Sequence, residues 1–238
     1  VVLLHDQCSQ LDSKFQADLA ALKKQELEVR NQDGWMHDLL TQTGDPLVAA
    51  VKMGLKTLGF KNVIDMDEVR DKEGKSRRED LQIQDVSPTL VVDIKGIANF
   101  PGDEDVLQAN KHATLLMREQ NRTNIFGLSL INHQRHIPPL QRDNKMPFRS
   151  ELIQVALESE LGVLTAWDFY RLVRNARLNQ WKFEHVYPVL YKHGRVEIIP
   201  VHYQYLGKVV KVWTDNFGIV IESVTVAVGE RIAIEFSV

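Results

Sequence analysis

The run Thr89-Leu90-Val91-Val92-Asp93-Ile94-Lys95-Gly96 constrains this chain more than any other segment. Its β-branched, nearly continuous apolar character marks a strand buried on both faces, in the middle of a sheet. Yet it carries Asp93 and Lys95. Alternate residues of a strand share a face, so these two point the same way, roughly 7 Å apart, while Leu90, Val92 and Ile94 point into the other layer. A charge inside a central strand is costly unless it is paired or metal-bound. The segment therefore asks for a covered sheet and for a chemical reason to keep an acid and an amine in it.

The preceding residues supply a second acid. Asp80 to Gln84 alternates Leu81 and Ile83 with Asp80, Gln82 and Gln84, the period of a half-buried strand. The turn Asp85-Val86-Ser87-Pro88 makes that strand the neighbour of the central one. Two carboxylates and an amine then converge at one end of a sheet. A hard divalent cation such as magnesium takes few protein oxygens and keeps several waters. Asp80, Asp93 and the main-chain carbonyl of Ile94 are candidate ligands. Lys95 is the candidate to position or polarise an attacking water, or to offset charge on a phosphate.

Around this pair of strands the pattern alternates. Leu11 to Val29 has helical spacing (Leu11, Phe15, Leu19, Leu22) and either packs on the body or continues a linker. Asp45 as N-cap, Pro46 in the first turn and Gly59 after Leu58 bound a second helix with one apolar stripe. A short strand over Lys61–Met66 precedes a polar loop, Asp67 to Arg78. A helix follows over about Glu104–Asn121, a strand over Asn124–Ile131, and a basic, proline-bearing loop to Pro147. Helices are expected over Phe148–Leu161, over Ala166–Leu178, and from near Trp181 to a break at Pro188. The end, with turn signals at Asp215-Asn216 and Gly229-Glu230, reads as four or five short strands forming a small β-barrel.

The order helix, Gly59-Phe60, strand, Arg78-Glu79-Asp80-Leu81, turn, Val91-Val92-Asp93-Ile94-Lys95-Gly96, then a helix carrying Gln108, resembles the PD-(D/E)XK nuclease superfamily over about Asp45–Ile131. The resemblance implies a restriction-endonuclease-like fold in which Asp80 and Asp93 bind the metal and Lys95 is catalytic. The Gln-x-x-x-Tyr helix motif of RecB-type exonucleases would read Gln108-Ala109-Asn110-Lys111-His112, with His112 in place of tyrosine. Gln108 then either supports the site or is an exposed helix residue. Two departures stand out: no proline precedes Asp80, and the first-helix glutamate of many members aligns with the apolar Val48, with Asp45 a turn earlier. The expected architecture is α/β: an N-terminal helical segment (1–42), a nuclease-like core with a mixed sheet flanked by helices (43–160), a helical linker (161–195) and the β-barrel module (196–238).

Composition sets the outer limits. With 44 % hydrophobic and 26 % charged residues the chain of 238 is an ordinary globular one, and no apolar run reaches membrane-spanning length. A single cysteine, Cys8, excludes an internal disulfide and fits a reducing, cytoplasmic setting. The start at Val1, without Met, reads as a fragment of a longer protein. Net charge of −3 leaves the partner open, because local charge decides nucleic-acid contact. Basic stretches at Arg70–Arg78, Arg118 and Arg122, Arg135–Arg149, and Arg171, Arg174 and Arg177 read either as phosphate contacts or as solvated faces. Tyr203, Tyr205, Trp213 and Phe217 either stack on bases or fill the barrel core. His112, His133 and His136 lack paired-ligand spacing for zinc. Phosphate-loop, dinucleotide and serine-hydrolase motifs are absent.

The combined expectation is a magnesium-dependent (alternatively manganese-dependent) deoxyribonuclease. Its site is Asp80, Asp93, Lys95 and Gln108, with Ile94 as a main-chain ligand. DNA is favoured over RNA through the resemblance. By analogy of architecture it would be an effector domain of a larger, defence-type protein, with upstream domains as partners, a homo-oligomer left open and no membrane contact. The rival expectation is a weakly active or inactive nuclease-fold module for nucleic-acid binding or assembly.

Overall fold

A computed structural model describes residues 2–222, 224–230 and 232–234, with side chains from residue 10 onward. It is a mixed α/β structure whose six-stranded sheet runs in sequence order: β1 (Val63–Asp65), β2 (Leu81–Ile83), β3 (Thr89–Gly96), β4 (Ile125–Asn132), β5 (Gly162–Thr165) and β6 (Gly194–Arg195). The first three form an antiparallel meander, and β3 through β6 are parallel. Helices α1 (Val2–Thr41), α2 (Asp45–Thr57), α3 (Met66–Glu73), α4 (Asp103–Gln120), α5 (Ser150–Glu158), α6 (Ala166–Asn179) and the short α7 (Phe183–Val186) complete the fold before a final hairpin. Among the described residues no helix is long and apolar enough to cross a membrane.

The alternation of β3 and β4 sorts the layers. Leu90, Val92 and Ile94, with Phe126, Leu128 and Leu130, bury against the end of α1 (Leu39, Leu40), α2 (Leu47, Val51, Leu55) and α6 (Phe169, Leu172, Val173). The opposite residues meet α4 and α5: Val91 packs with Ala113 and Leu116, and Ile131 with Val106, Ala109 and Leu152. The sheet is thus covered on both faces, as a parallel core requires. Gly127 makes the close approach of α4 possible, since a Cβ there would stand 3.2 Å from the Ala109 carbonyl oxygen and 2.9 Å from Leu161. Ser129 Oγ donates to the Val106 carbonyl at 2.6 Å and ties α4 to β4 directly.

Several expectations change. Helix α2 begins at Asp45 itself, with Gly44 as its N-cap. The charged stretch after β1 is helical, not a loop: Asp65 accepts from the Glu68 amide and starts α3, which ends at Gly74. Strand β2 is buried throughout rather than half-buried, because Gln82 donates to buried Glu79 at 2.7 Å. Segment 161–195, read as a helical linker, contributes β5 and β6 to the sheet and α6 to its cover. Pro188 sits in a 3₁₀ turn, Tyr187–Tyr191, that continues from α7.

The C-terminal barrel is corrected to a two-stranded hairpin, β7 (Gly207–Val212) with β8 (Phe217–Ile221), among the described residues. Its open edges and missing third strand leave no closed sheet. Tyr203, Tyr205, Trp213 and Phe217 are exposed rather than filling a core. The strand expected over Val224–Phe236 falls in part on residues 231, 235 and 236, which lie outside the described residues, and its described part has no strand.

Arg142 joins the basic loop to the body. It donates through Nη2 to the Leu40 carbonyl at 2.6 Å, through Nη1 to Asn132 Oδ1 at 2.7 Å and through Nε to the Ile137 carbonyl at 2.8 Å. Replacing it strands buried acceptors at the junction of α1 and β4. Arg142→Ala is expected to lower unfolding stability by about 2–3 kcal/mol, read from the urea midpoint. An unchanged midpoint would refute this anchoring role.

Candidate active site

Asp80 and Asp93 face each other because of the β2–β3 register. Leu81 pairs with Val92, so the next residue outward, Asp80, lies across from Asp93 on the α4 side. The Asp80 amide donates to the Val92 carbonyl at 3.2 Å, and the Ile94 amide donates to Asp80 Oδ2 at 2.6 Å. The contact Ile94 makes with these acids is therefore through its N–H. Asp93 is only 3 % exposed. His112 Nδ1 lies 3.0 Å from each of its carboxylate oxygens.

Helix α4 lays three residues along this end of the sheet. His112 meets Asp93, and Asp105 meets Lys95, whose Nζ is 3.4 Å from Asp105 Oδ1 and 3.5 Å from the Glu104 carbonyl. Asp105 also accepts the Gly102 amide through Oδ2 at 2.9 Å, capping the helix. Gln108, half-buried, sits between them in sequence, one turn before His112. Thus Asp80, Asp93 and Lys95 are brought to one end of the central strands, and Gln108 to the helix that covers them.

Sequence reasoning passed over three participants. Glu79 is fully buried, with Arg70 Nη2 at 3.3 Å and the Gln82 amide on its carboxylate. Asp105 engages the lysine. His112, read as a tyrosine replacement, is the direct partner of Asp93. The adjacency Glu79-Asp80, just ahead of β2, was the available signal for the first.

Burial dominates the electrostatics. It pushes the Asp80 carboxyl up to about 7, against the pull of the Ile94 amide, and nearby Asp93 and Asp67 push the same way. Asp93 is also raised by burial, with His112 opposing the shift and Glu79 reinforcing it. Lys95 offers Asp93 a weaker counter-charge because its amine is turned to Asp105. Outside this centre Arg77 spans Asp67 and Asp71, with Asp45 at 3.9 Å. Val48 lies in the core, as its apolar character requires.

The basic stretches are largely engaged by the protein itself. Arg70 is buried on Glu79, Arg78 pairs with Glu119, Arg149 with Asp103 and Arg177 with Asp33. Among the described residues no group of three or more His, Cys, Asp or Glu is arranged to hold a metal ion. His133 stacks on Phe100 with ring centroids 6.5 Å apart, away from a histidine cluster. Compared with known proteins, the chain matches no family model, no curated protein and no solved structure.

A carboxyl that titrates near 7 in the folded chain and near 4 when unfolded binds more protons in the folded state between those values, so folding loses stability as pH rises through that window. In chelator-containing buffer Asp80→Asn is expected to match the parent near pH 4 and to exceed it increasingly up to pH 7, by at most about 4 kcal/mol. Urea unfolding at several pH values reads this. A difference independent of pH would contradict the buried-carboxyl account.

Proposed function

We propose that the chain is a metal-dependent nuclease of the restriction-endonuclease-like type, acting on DNA. The observation that carries the reading is the convergence of Asp80, Asp93 and Lys95 at one end of β2 and β3, beneath a helix bearing Gln108. The order α2, β1, β2, β3, α4, β4 supports it, with α3 inserted in the meander. The preference for DNA rests on the resemblance alone.

The residues fit a magnesium ion by their chemistry. A buried acid, Asp93, and a half-buried one, Asp80, stand opposite each other, and Asp80 is raised partly by Asp93, a conflict that a cation relieves. Magnesium needs only one or two carboxylates, with water and substrate oxygens completing its shell. Asp80 and Asp93 would hold it, with the Ile94 carbonyl as the further candidate, and manganese suits the same oxygens. Bound there, the ion supplies Lewis-acid stabilisation of the charge that develops on the phosphate. His112 fixes the Asp93 carboxylate through the bond at Nδ1. Lys95 presents an ammonium on the same face as Asp93, suited to orient the attacking water or to meet a phosphate oxygen. Gln108, on the helix face that carries His112, is the candidate to support the site from α4.

A second reading, a nuclease-fold module that binds without cleaving, is favoured by two features. Asp80 Oδ2 is occupied by the Ile94 amide, and the Lys95 amine is engaged by Asp105. The absence of an acid at Val48 points the same way.

The test is incubation of the purified chain with circular and linear DNA in magnesium, manganese or chelator, beside Asp93→Asn and Lys95→Ala. Cleavage that needs metal and falls by at least about 100-fold in each variant is expected. Thermal unfolding is measured in parallel, and magnesium should raise the parent midpoint but leave that of Asp93→Asn unmoved. Metal binding without cleavage would favour the binding module. Neither binding nor cleavage would overturn the nuclease reading.

A further inference from the structure

Helix α1 is 40 residues long, yet only its last part belongs to the body of the protein. Trp35, Leu39 and Leu40 pack in the main core, and Asp33 pairs with Arg177 of α6. From Gln10 to Gln32 every residue except Leu19 is exposed. Leu11 is 67 % exposed, Phe15 62 %, Leu22 63 % and Val29 56 %. Helices of ordinary composition draw most of their stability in water from packing of an apolar face. This stretch has such a face and, among the described residues, nothing against it.

The spacing of that face limits what covers it. Phe15, Leu22 and Val29 recur every seventh residue, and Leu11 precedes Phe15 by four, so the four fall on the two seam positions of a heptad. The remaining seam positions between Leu11 and Val29 are Asp18 and Gln25. Polar residues on a seam cost stability but select register and orientation.

The charges on and beside the seam select between two copies lying parallel and two lying antiparallel. In a parallel, in-register pair Asp18 would face its own counterpart, a like-charge contact inside a desolvated strip. In the antiparallel pair centred near Ala20, Leu11 meets Val29 of the second copy and Asp18 meets Leu22. Lys14 then flanks Glu28 of the second copy, twice by symmetry. The Lys24–Glu28 pair within one helix, at 4.0 Å and fully solvated, is too weak to hold Glu28 back. On the other flank Asp12 lies near Glu26 of the second copy, where Lys23 and Arg30 of that helix, three and four residues from Glu26, offset the acids.

We infer that α1 is an interaction surface for a second copy of this chain, joined as an antiparallel helical pair over Leu11–Val29. The pairing is independent of the nuclease reading. It covers the four apolar seam residues, leaving Leu27 on the outer face, satisfies Lys14 and Glu28 across the interface, and keeps Asp18 apart from its twin.

Equilibrium sedimentation of the whole chain is expected to give a dimer at micromolar concentration. Leu11→Glu combined with Leu22→Glu should weaken it by on the order of 100-fold or more. Because both positions are exposed, the urea midpoint of the α/β body serves as the folding control and should stay unchanged. Orientation is read in a Cys8→Ser background. Leu11→Cys with Val29→Cys should form an oxidised dimer, and Leu11→Cys alone should not. A monomeric parent chain, a doubly substituted chain that still dimerises, or efficient cross-linking by Leu11→Cys alone would each overturn the proposal.

Discussion

The parallel pairing of β3 with β4 is the constraint on which the rest of the molecule depends. Their full register, Thr89 with Ile125 through Gly96 with Asn132, places two strands with alternating faces side by side. One face is apolar as far as Asn132 and takes α2 and α6. The other begins with Val91 and Ile125, then turns polar at Asp93 opposite Ser129. Both of these find a partner on α4: Ser129 takes the Val106 carbonyl and Asp93 takes His112. The helix is therefore fixed by apolar contacts along its length and by polar ones over its first two-thirds. That arrangement puts the acids under a cover without leaving them unpaired.

Much of this was legible in the chain. The central strand was readable because its apolar run has no break, and its neighbour because a short turn with proline joins the two. Together these made the approach of Asp80 to Asp93 a matter of strand geometry. Helix α4 announced itself by length and period. What was not legible involves contacts between elements distant in sequence. Nothing in Lys95 or Asp105 taken singly declares that they meet, and the burial of Arg70 on Glu79 depends on α3, which was read as a loop.

The misread elements share a physical cause. Helix α3 has almost no apolar period and is set by its ends: Asp65 caps it, Glu68 follows three residues later, and Gly74 closes it in a left-handed turn. Strands β5 and β6 are too short to show alternation; β5 takes its place by pairing along β4 and β6 by pairing along β5. At the C-terminus the reverse occurred. β-branched residues were plentiful, but residues 196–206 form no strand, so composition there outran the sheet.

Asp105 divides its two oxygens between unlike duties, one on the Gly102 amide at the start of α4 and one on the Lys95 amine. The capping bond is local and survives whatever the lysine does. The amine can leave its resting place for an arriving anion while the helix above it stays wound. Mobility is thereby confined to the flexible stem of one side chain, and the frame that aims it remains rigid.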